Sequence, residues 1–412
     1  MGIFGPRRGP GEPHPRREPR YPGPLTLAGV EEIFRDCVDF TKRPVALEGG
    51  PALTLCYLSG MVKMERVSDY VLRPLAQDSS LAGCADMGAL MKKMEDGALY
   101  NLSAAERTTL DQAAFDLVSG WCLLFFPGES AVLSLFTGTE EKRSISAPSN
   151  ETVLKGARDA FVESLRTNTS IVRRHIKAPE LRIREQTVGR QSATLVDILY
   201  IEGLTDPALV NRVAGRLADI DIDAVLATGN IEEYIVPAQR TPFPLLQYTE
   251  RSDRFCAGLA EGRVGILIDG LPLGYLAPGV LGDFLRAPQD KSESWMLATV
   301  LTLLRYTCML LTLLLPALYV AMVTFHQEMI PTKLALSIIA AKQDVPFRSA
   351  FEVIVLLLAF EILQEAGLRL PQSIGQTVSI IGGLVVGSAA VEAKIVSPAV
   401  LIVVAVAGIA GY

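Results

Sequence analysis

Little in this 412-residue chain asks for catalysis. It has three histidines (His14, His175 and His326), two tryptophans, and no HExxH, GxSxG, P-loop or GxGxxG pattern. The usual zinc sites, nucleophile–base pairs and phosphate cradles therefore have no foothold, and the chain is expected to be no enzyme and to need no cofactor or metal. The carboxylate pairs Asp219/Asp221 and Glu232/Glu233 have no evident partner and read as solvated surface. Six cysteines (Cys37, Cys56, Cys84, Cys122, Cys256 and Cys308) include no CxxC pair, which fits reduced cytosolic thiols. Excess basic charge is missing too. With 39 Lys and Arg against 45 Asp and Glu, the net charge of -6 argues against a nucleic-acid partner.

An apolar leader is also absent from the start. Met1–Pro24 holds five arginines and seven prolines, too polar for a signal peptide or a span. Residues 1–25 are therefore expected to form a disordered, basic, proline-rich tail with some attraction to anionic membrane lipid. Without a signal, the domain that follows is expected to stay in the cytosol.

What the chain does have is a change of solvent near Trp295. The mean hydropathy of +0.30 is high for a soluble protein, and the excess lies beyond that point. Trp295–Phe325 carries one charge, Arg305, and Tyr306–Phe325 is a run of twenty residues with none. As a helix that run is about 30 Å long, one bilayer core. Arg305 is placed to reach headgroups from the entrance, and Pro316 is expected to kink the helix. Leu370–Val391 and Ile395–Tyr412 are further charge-free runs. The expected fold is an α/β cytosolic N-domain of two subdomains followed by an α-helical polytopic membrane domain. Its parts are residues 26–180, ending in a basic linker helix, then 181–290, then 291–412.

Two subdomains are suggested by two similar segments. Ala52–Leu58 runs through Ser59-Gly60-Met61 into a helical pattern, and Thr194–Ile201 runs through Glu202-Gly203-Leu204 into another opened by Asp206-Pro207. Ala131–Phe136 and Val264–Asp269 again look alike. Between the halves, Arg166, Arg173, Arg174, Lys177, Arg182, Arg184 and Arg190 make the most basic ordered stretch. It reads either as an anion or headgroup contact or, more simply, as a solvated helix face and linker.

The membrane half holds one unusual helix. Val353–Phe360, with Leu356 at its middle, is eight apolar residues bracketed by Glu352 and Glu361, and Glu365 follows one turn later. Helical geometry puts Glu361 and Glu365 on one face and Glu352 opposite. A carboxylate in lipid costs roughly 2.5–3.5 kcal/mol on insertion scales, so this helix should not face lipid all round. Either it lines a wet path within an assembly, making Glu352, Leu356, Glu361 and Glu365 candidate pore or gate residues, or it lies at the interface. Gly383 and Gly387 have the spacing that lets helices approach closely.

The segment Leu370-Pro371-Gln372-Ser373-Ile374-Gly375-Gln376-Thr377, followed by Ala389-Ala390-Val391-Glu392-Ala393 and Ile395-Val396-Ser397-Pro398, closely resembles the signature of the GerA family. Gln247-Tyr248-Thr249-Glu250-Arg251 fits as well. These proteins are the A subunits of bacterial spore nutrient germinant receptors, and the resemblance runs from about Leu55 to Tyr412. It implies a multi-pass protein of the spore inner membrane with a cytosolic N-domain. It also implies a transporter-like B subunit and a lipoprotein C subunit as partners, and homo-oligomerisation into a ligand-gated ion channel. Family members continue past the position of Tyr412, so the membrane domain is expected to be incomplete here. Three alternatives stay open: a secondary transporter, a non-conducting scaffold, and the A-like paralogue that acts in dipicolinic-acid release.

Overall fold

The computed structural model describes residues 20–47, 52–77, 86–99, 103–138, 159–225, 228–236, 241, 243–287, 289–290, 293–369 and 387–411. The chain divides into two compact units, Met1–Phe284 and Leu285–Tyr412.

The first unit holds two five-stranded sheets, antiparallel at every pairing. In chain order, helix α1 (Leu27–Ile33) precedes β1 (Phe40–Val45) and β2 (Leu53–Leu58). After short helical turns come β3 (Ala104–Arg107), α2 (Leu110–Val118), β4 (Trp121–Phe125) and β5 (Val132–Phe136). Helix α3 (Leu165–His175) then leads into β6 (Leu181–Val188), β7 (Thr194–Ile201) and α4 (Pro207–Ala218). The second sheet is completed by β8 (Gln247–Thr249), α5 (Ser252–Ala260), β9 (Val264–Ile268) and β10 (Gly274–Ala277).

The strand orders are β1-β2-β4-β5-β3 and β6-β7-β9-β10-β8, so the second sheet repeats the first. Local chemistry repeats with it. Each helix before the third strand of the order ends on a left-handed glycine, Gly120 (φ 89°) and Gly262 (φ 87°). A Cβ on either would lie 3.0 or 3.1 Å from the carbonyl oxygen of Met61 or Leu204, the residues following Gly60 and Gly203. Those are the two turns whose sequences look alike. Val132–Phe136 and Val264–Ile268 are not equivalent, however; β9 corresponds to β4, and β5 to β10. Central strands covered on both faces all read as apolar runs, so pattern alone cannot pair them. In β2, Leu53, Leu55 and Tyr57 enter one core while Cys56 and Leu58 enter another. In β7, Val196, Ile198 and Tyr200 face one core and Leu199 the other.

The basic stretch divides: Arg166, Arg174, Lys177 and Arg190 are exposed, whereas Arg173, Arg182 and Arg184 form the seam between the sheets. Helix α3 sits on the second sheet through Leu165 and Val172, so the sequence boundary at 180/181 falls after an element that packs with the second half. The fully buried Arg173 turns the other way. Its Nε and Nη2 donate to Asp39 Oδ2 and Oδ1 at 2.9 and 3.0 Å. Arg182 donates to the Ile33 carbonyl and to Glu202, and Arg184 donates to Asp36 at 2.8 Å while lying over the Tyr200 ring. Gly60 lets the first half close on α3, since a Cβ there would lie 3.3 Å from that of Ser170. Arg20–Leu25, placed in the tail by composition, is tied down: Arg20 pairs with Glu180 at 2.8 Å and Leu25 is buried. Residues 1–19 lie outside the described residues.

In the second unit, α6 (Trp295–Phe325) is one 31-residue helix running through Pro316. Among the described residues it is the one helix long and apolar enough to cross a membrane. At about 46 Å it exceeds a hydrocarbon core, and it leaves Leu303, Leu313 and Phe325 exposed. Arg305 does not reach outward. It is held by Asp290, with Nη2 donating to Oδ1 at 3.0 Å and Nη1 to the Leu285 carbonyl at 3.3 Å. Then follow α7 (Thr332–Lys342), α8 (Ser349–Arg369) and the short apolar α9 (Pro398–Ala410). The glycine-rich run 370–386, including Gly383, lies outside the described residues.

Candidate functional site

Helix α8 carries the candidate residues, and its two faces differ. Val353 and Leu356 are buried in an apolar cluster with Tyr319 of α6 and Val396, Val400 and Val404 at and within α9. Ile354, Leu358, Glu361 and Glu365, spaced four, three and four residues apart, form an exposed stripe. Glu352 falls opposite that stripe, as the nine-residue spacing to Glu361 requires, and is 1% exposed. The structure thus keeps Glu361 and Glu365 together, places Glu352 and Leu356 in the interior, and separates the two sets.

A buried carboxylate needs compensation, and Glu352 finds it from two directions. Its Oε2 accepts the backbone N–H of Ser397 at 2.8 Å. Ser397 immediately precedes α9, so the carboxylate sits at the positive end of a 13-residue helix whose first residue, Pro398, has no N–H to offer. From the other side, Lys342 Nζ lies 3.3 Å from Oε1 and donates to the hydroxyl of the buried Ser349. Satisfaction is incomplete. Glu352 Oε1 has the charge of Lys342 near it but no hydrogen bond among the described residues. An under-satisfied polar group in an apolar bundle is costly. Sequence reasoning named Glu352 but missed Lys342, Ser349, Ser397 and Tyr319. The signal that could have pointed to Ser397 is Pro398 after it, a residue suited to the first position of a helix.

Gly387 is buried, and a Cβ there would lie 3.3 Å from Leu401 of α9. It lets the segment before α9 approach that helix.

Other polar clusters lack the geometry of a reacting site. His175, Ser252 and Asp159 meet, but the Ser252 hydroxyl (3.1 Å) and the Asp159 carboxylate (3.7 Å) both address Nε2. The buried Ser252 also donates to the Asp159 carbonyl, which ties the start of α5 to the segment before α3. Asp197 is fully buried in β7, and burial pushes its carboxyl up to about 6, although the Thr169 hydroxyl donates to it at 2.9 Å and Arg166 lies 3.7 Å away. Among the described residues no group of three or more His, Cys, Asp and Glu side chains could hold a metal ion.

Residues 28–412 match the family model described as Bacillus/Clostridium GerA spore germination protein. The chain belongs to the GerA family. Among its relatives, the "Uncharacterized membrane protein YfkQ" of Bacillus subtilis (strain 168) is 38% identical over 386 residues, 94% of this chain and 74% of that protein. "Spore germination protein KA" of the same organism is 39% identical over 360 residues, 87% of this chain and 65% of that protein. Among solved structures, the N-terminal domain of the A subunit of the Bacillus megaterium spore germinant receptor GerK3 matches with 31% identity and a TM-score of 0.49. That match covers 62% of this chain and 94% of that one. The GerA match thus takes in both compact units.

Proposed function

We propose that this GerA-family chain is the A subunit of a spore germinant receptor, a multi-pass protein of the spore inner membrane with its two-sheet domain in the cytosol. It works with a transporter-like B subunit and a lipoprotein C subunit and assembles with copies of itself around an ion path. Family membership supports the part in germination, and the exposed apolar α6 supports the membrane setting.

The observation that carries the mechanism is the pairing of Glu352 inside an apolar helix unit. Facing copies of α8 contribute the stripe of Ile354, Leu358, Glu361 and Glu365, whose carboxylates attract cations and whose apolar pair narrows the path. The Glu352–Lys342–Ser397 contacts hold α8 against α9 and latch one arrangement. Nutrient binding to the partner shifts the equilibrium only by the difference in affinity between the latched and released forms.

The test is cation flux through the full-length receptor in liposomes, together with germination of spores carrying the same variants. The combined change Glu361→Gln and Glu365→Gln should reduce flux, and Glu352→Gln should alter the nutrient threshold. Unchanged flux and germination in both would remove the channel reading. A complete lack of current in the intact receptor would favour a non-conducting scaffold.

A further inference from the structure

A second feature of the helical unit lies beside the latch. The end of α6, helix α7 and the start of α8 enclose a cleft of about 790 Å³. Its wall is apolar where Val323, Ile330, Ile338 and Ile339 contribute, and its rim carries Lys342 and Arg348. Arg348 is exposed, and its guanidinium has no ion-pair partner among the described residues. The neighbouring acids are already engaged: Asp344 pairs with Lys394 at 2.5 Å, and Glu352 with Lys342. The rim is therefore a net cation beside an apolar trough large enough for a headgroup and part of a chain.

Exposure around the cleft points the same way. Phe325, Met329, Leu334, Leu336 and Ile339 are all more than half exposed at this end of the unit. Helix α7 adds Lys333 at its start and Lys342 at its end, and basic residues beside exposed apolar side chains attract anionic lipid.

We infer that this cleft binds one anionic phospholipid, its phosphate on Arg348 and Lys342 and an acyl chain along Val323, Ile338 and Ile339. The inference rests on the membrane setting proposed above. Lys342 gives it a consequence, because the same ammonium neutralises Glu352; lipid in the cleft and the state of the latch share one cation.

The test places the photo-crosslinker p-benzoylphenylalanine at position 347, a ring that lines the cleft, in the full chain. The chain is reconstituted in vesicles of equimolar phosphatidylglycerol and phosphatidylcholine, and adducts are counted by mass spectrometry. The same crosslinker at position 313, an exposed leucine of α6, reports bulk lipid. Adducts at 347 should favour phosphatidylglycerol about fivefold over those at 313, the factor expected for one cation near a phosphate. Arg348→Gln should abolish that preference, while Lys333→Gln, outside the cleft lining, should preserve it. Equal ratios at 347 and 313, or equal loss with both variants, would overturn the inference in favour of no site or of diffuse attraction. Loss of the preference in excess inorganic phosphate would overturn it in favour of a free-anion site. Lipid adducts absent at 313 would instead overturn the membrane setting itself.

Discussion

Arg173 of one half and Asp39 of the other meet as a two-pronged pair, 2.9 and 3.0 Å, with both side chains out of solvent. With the Arg182 and Arg184 contacts beside it, this pair joins the two sheets of the first unit. Its partners are 134 residues apart, so the pairing exists only when both sheets have formed and docked.

Removing one partner should be severe. Arg173→Ala leaves Asp39 buried and uncompensated, a loss of about 3–5 kcal/mol. For a unit of this size that corresponds to a fall in melting temperature on the order of 10 °C. Thermal unfolding of the full chain checks it, and replacing both residues with apolar ones of similar size should recover much of the loss.

Four glycines with positive φ should fall into two classes. Gly128 (φ 87°) and Gly270 (φ 82°) have open space where a Cβ would go. Alanine at either should cost about 1–2 kcal/mol, from backbone conformation alone. At Gly120 and Gly262 the added carbon also meets a carbonyl oxygen at 3.0 or 3.1 Å, so the loss should be clearly larger. Side-by-side melting curves of the four alanine variants decide.

Asp197 should make the first unit more stable in mild acid. Its folded carboxyl is raised to about 6, chiefly by burial, above the value of about 4 it would have unfolded. The folded state therefore holds this proton more tightly than the unfolded state. Ionising the group penalises folding above its folded value, and the penalty fades as pH falls from about 6 towards 4. Asp197→Asn keeps an acceptor for Thr169 and should flatten this part of the stability profile between about pH 4 and 6, as read by thermal melts.

Glu352 and Lys342 should be energetically coupled. Either Glu352→Gln or Lys342→Met alone disrupts the buried pair, and the double variant should be less destabilised than the two single losses summed. Glu361→Gln, on the exposed face, should leave the stability within about 0.5 kcal/mol of the parent. Detergent-solubilised protein suffices for the cycle.

The break near Trp295, the two-part soluble region and the opposed faces of the acidic helix were all legible from the chain. Each follows from local composition or from a 3.6-residue period, which needs no partner. The repeat of the two halves was legible at one strand-to-helix turn and misaligned at the next, because strands buried on both faces carry the same apolar signature. Tertiary structure alone decided where the charges went. Arg173, Arg182 and Arg184 look like part of a solvated basic run until Asp39, the Ile33 carbonyl and Asp36 are brought to them from far away. Glu352 looks like a lone charge until Ser397, 45 residues on, turns its N–H towards it. Burying a charge requires a partner, and which partner arrives is a property of how distant segments pack.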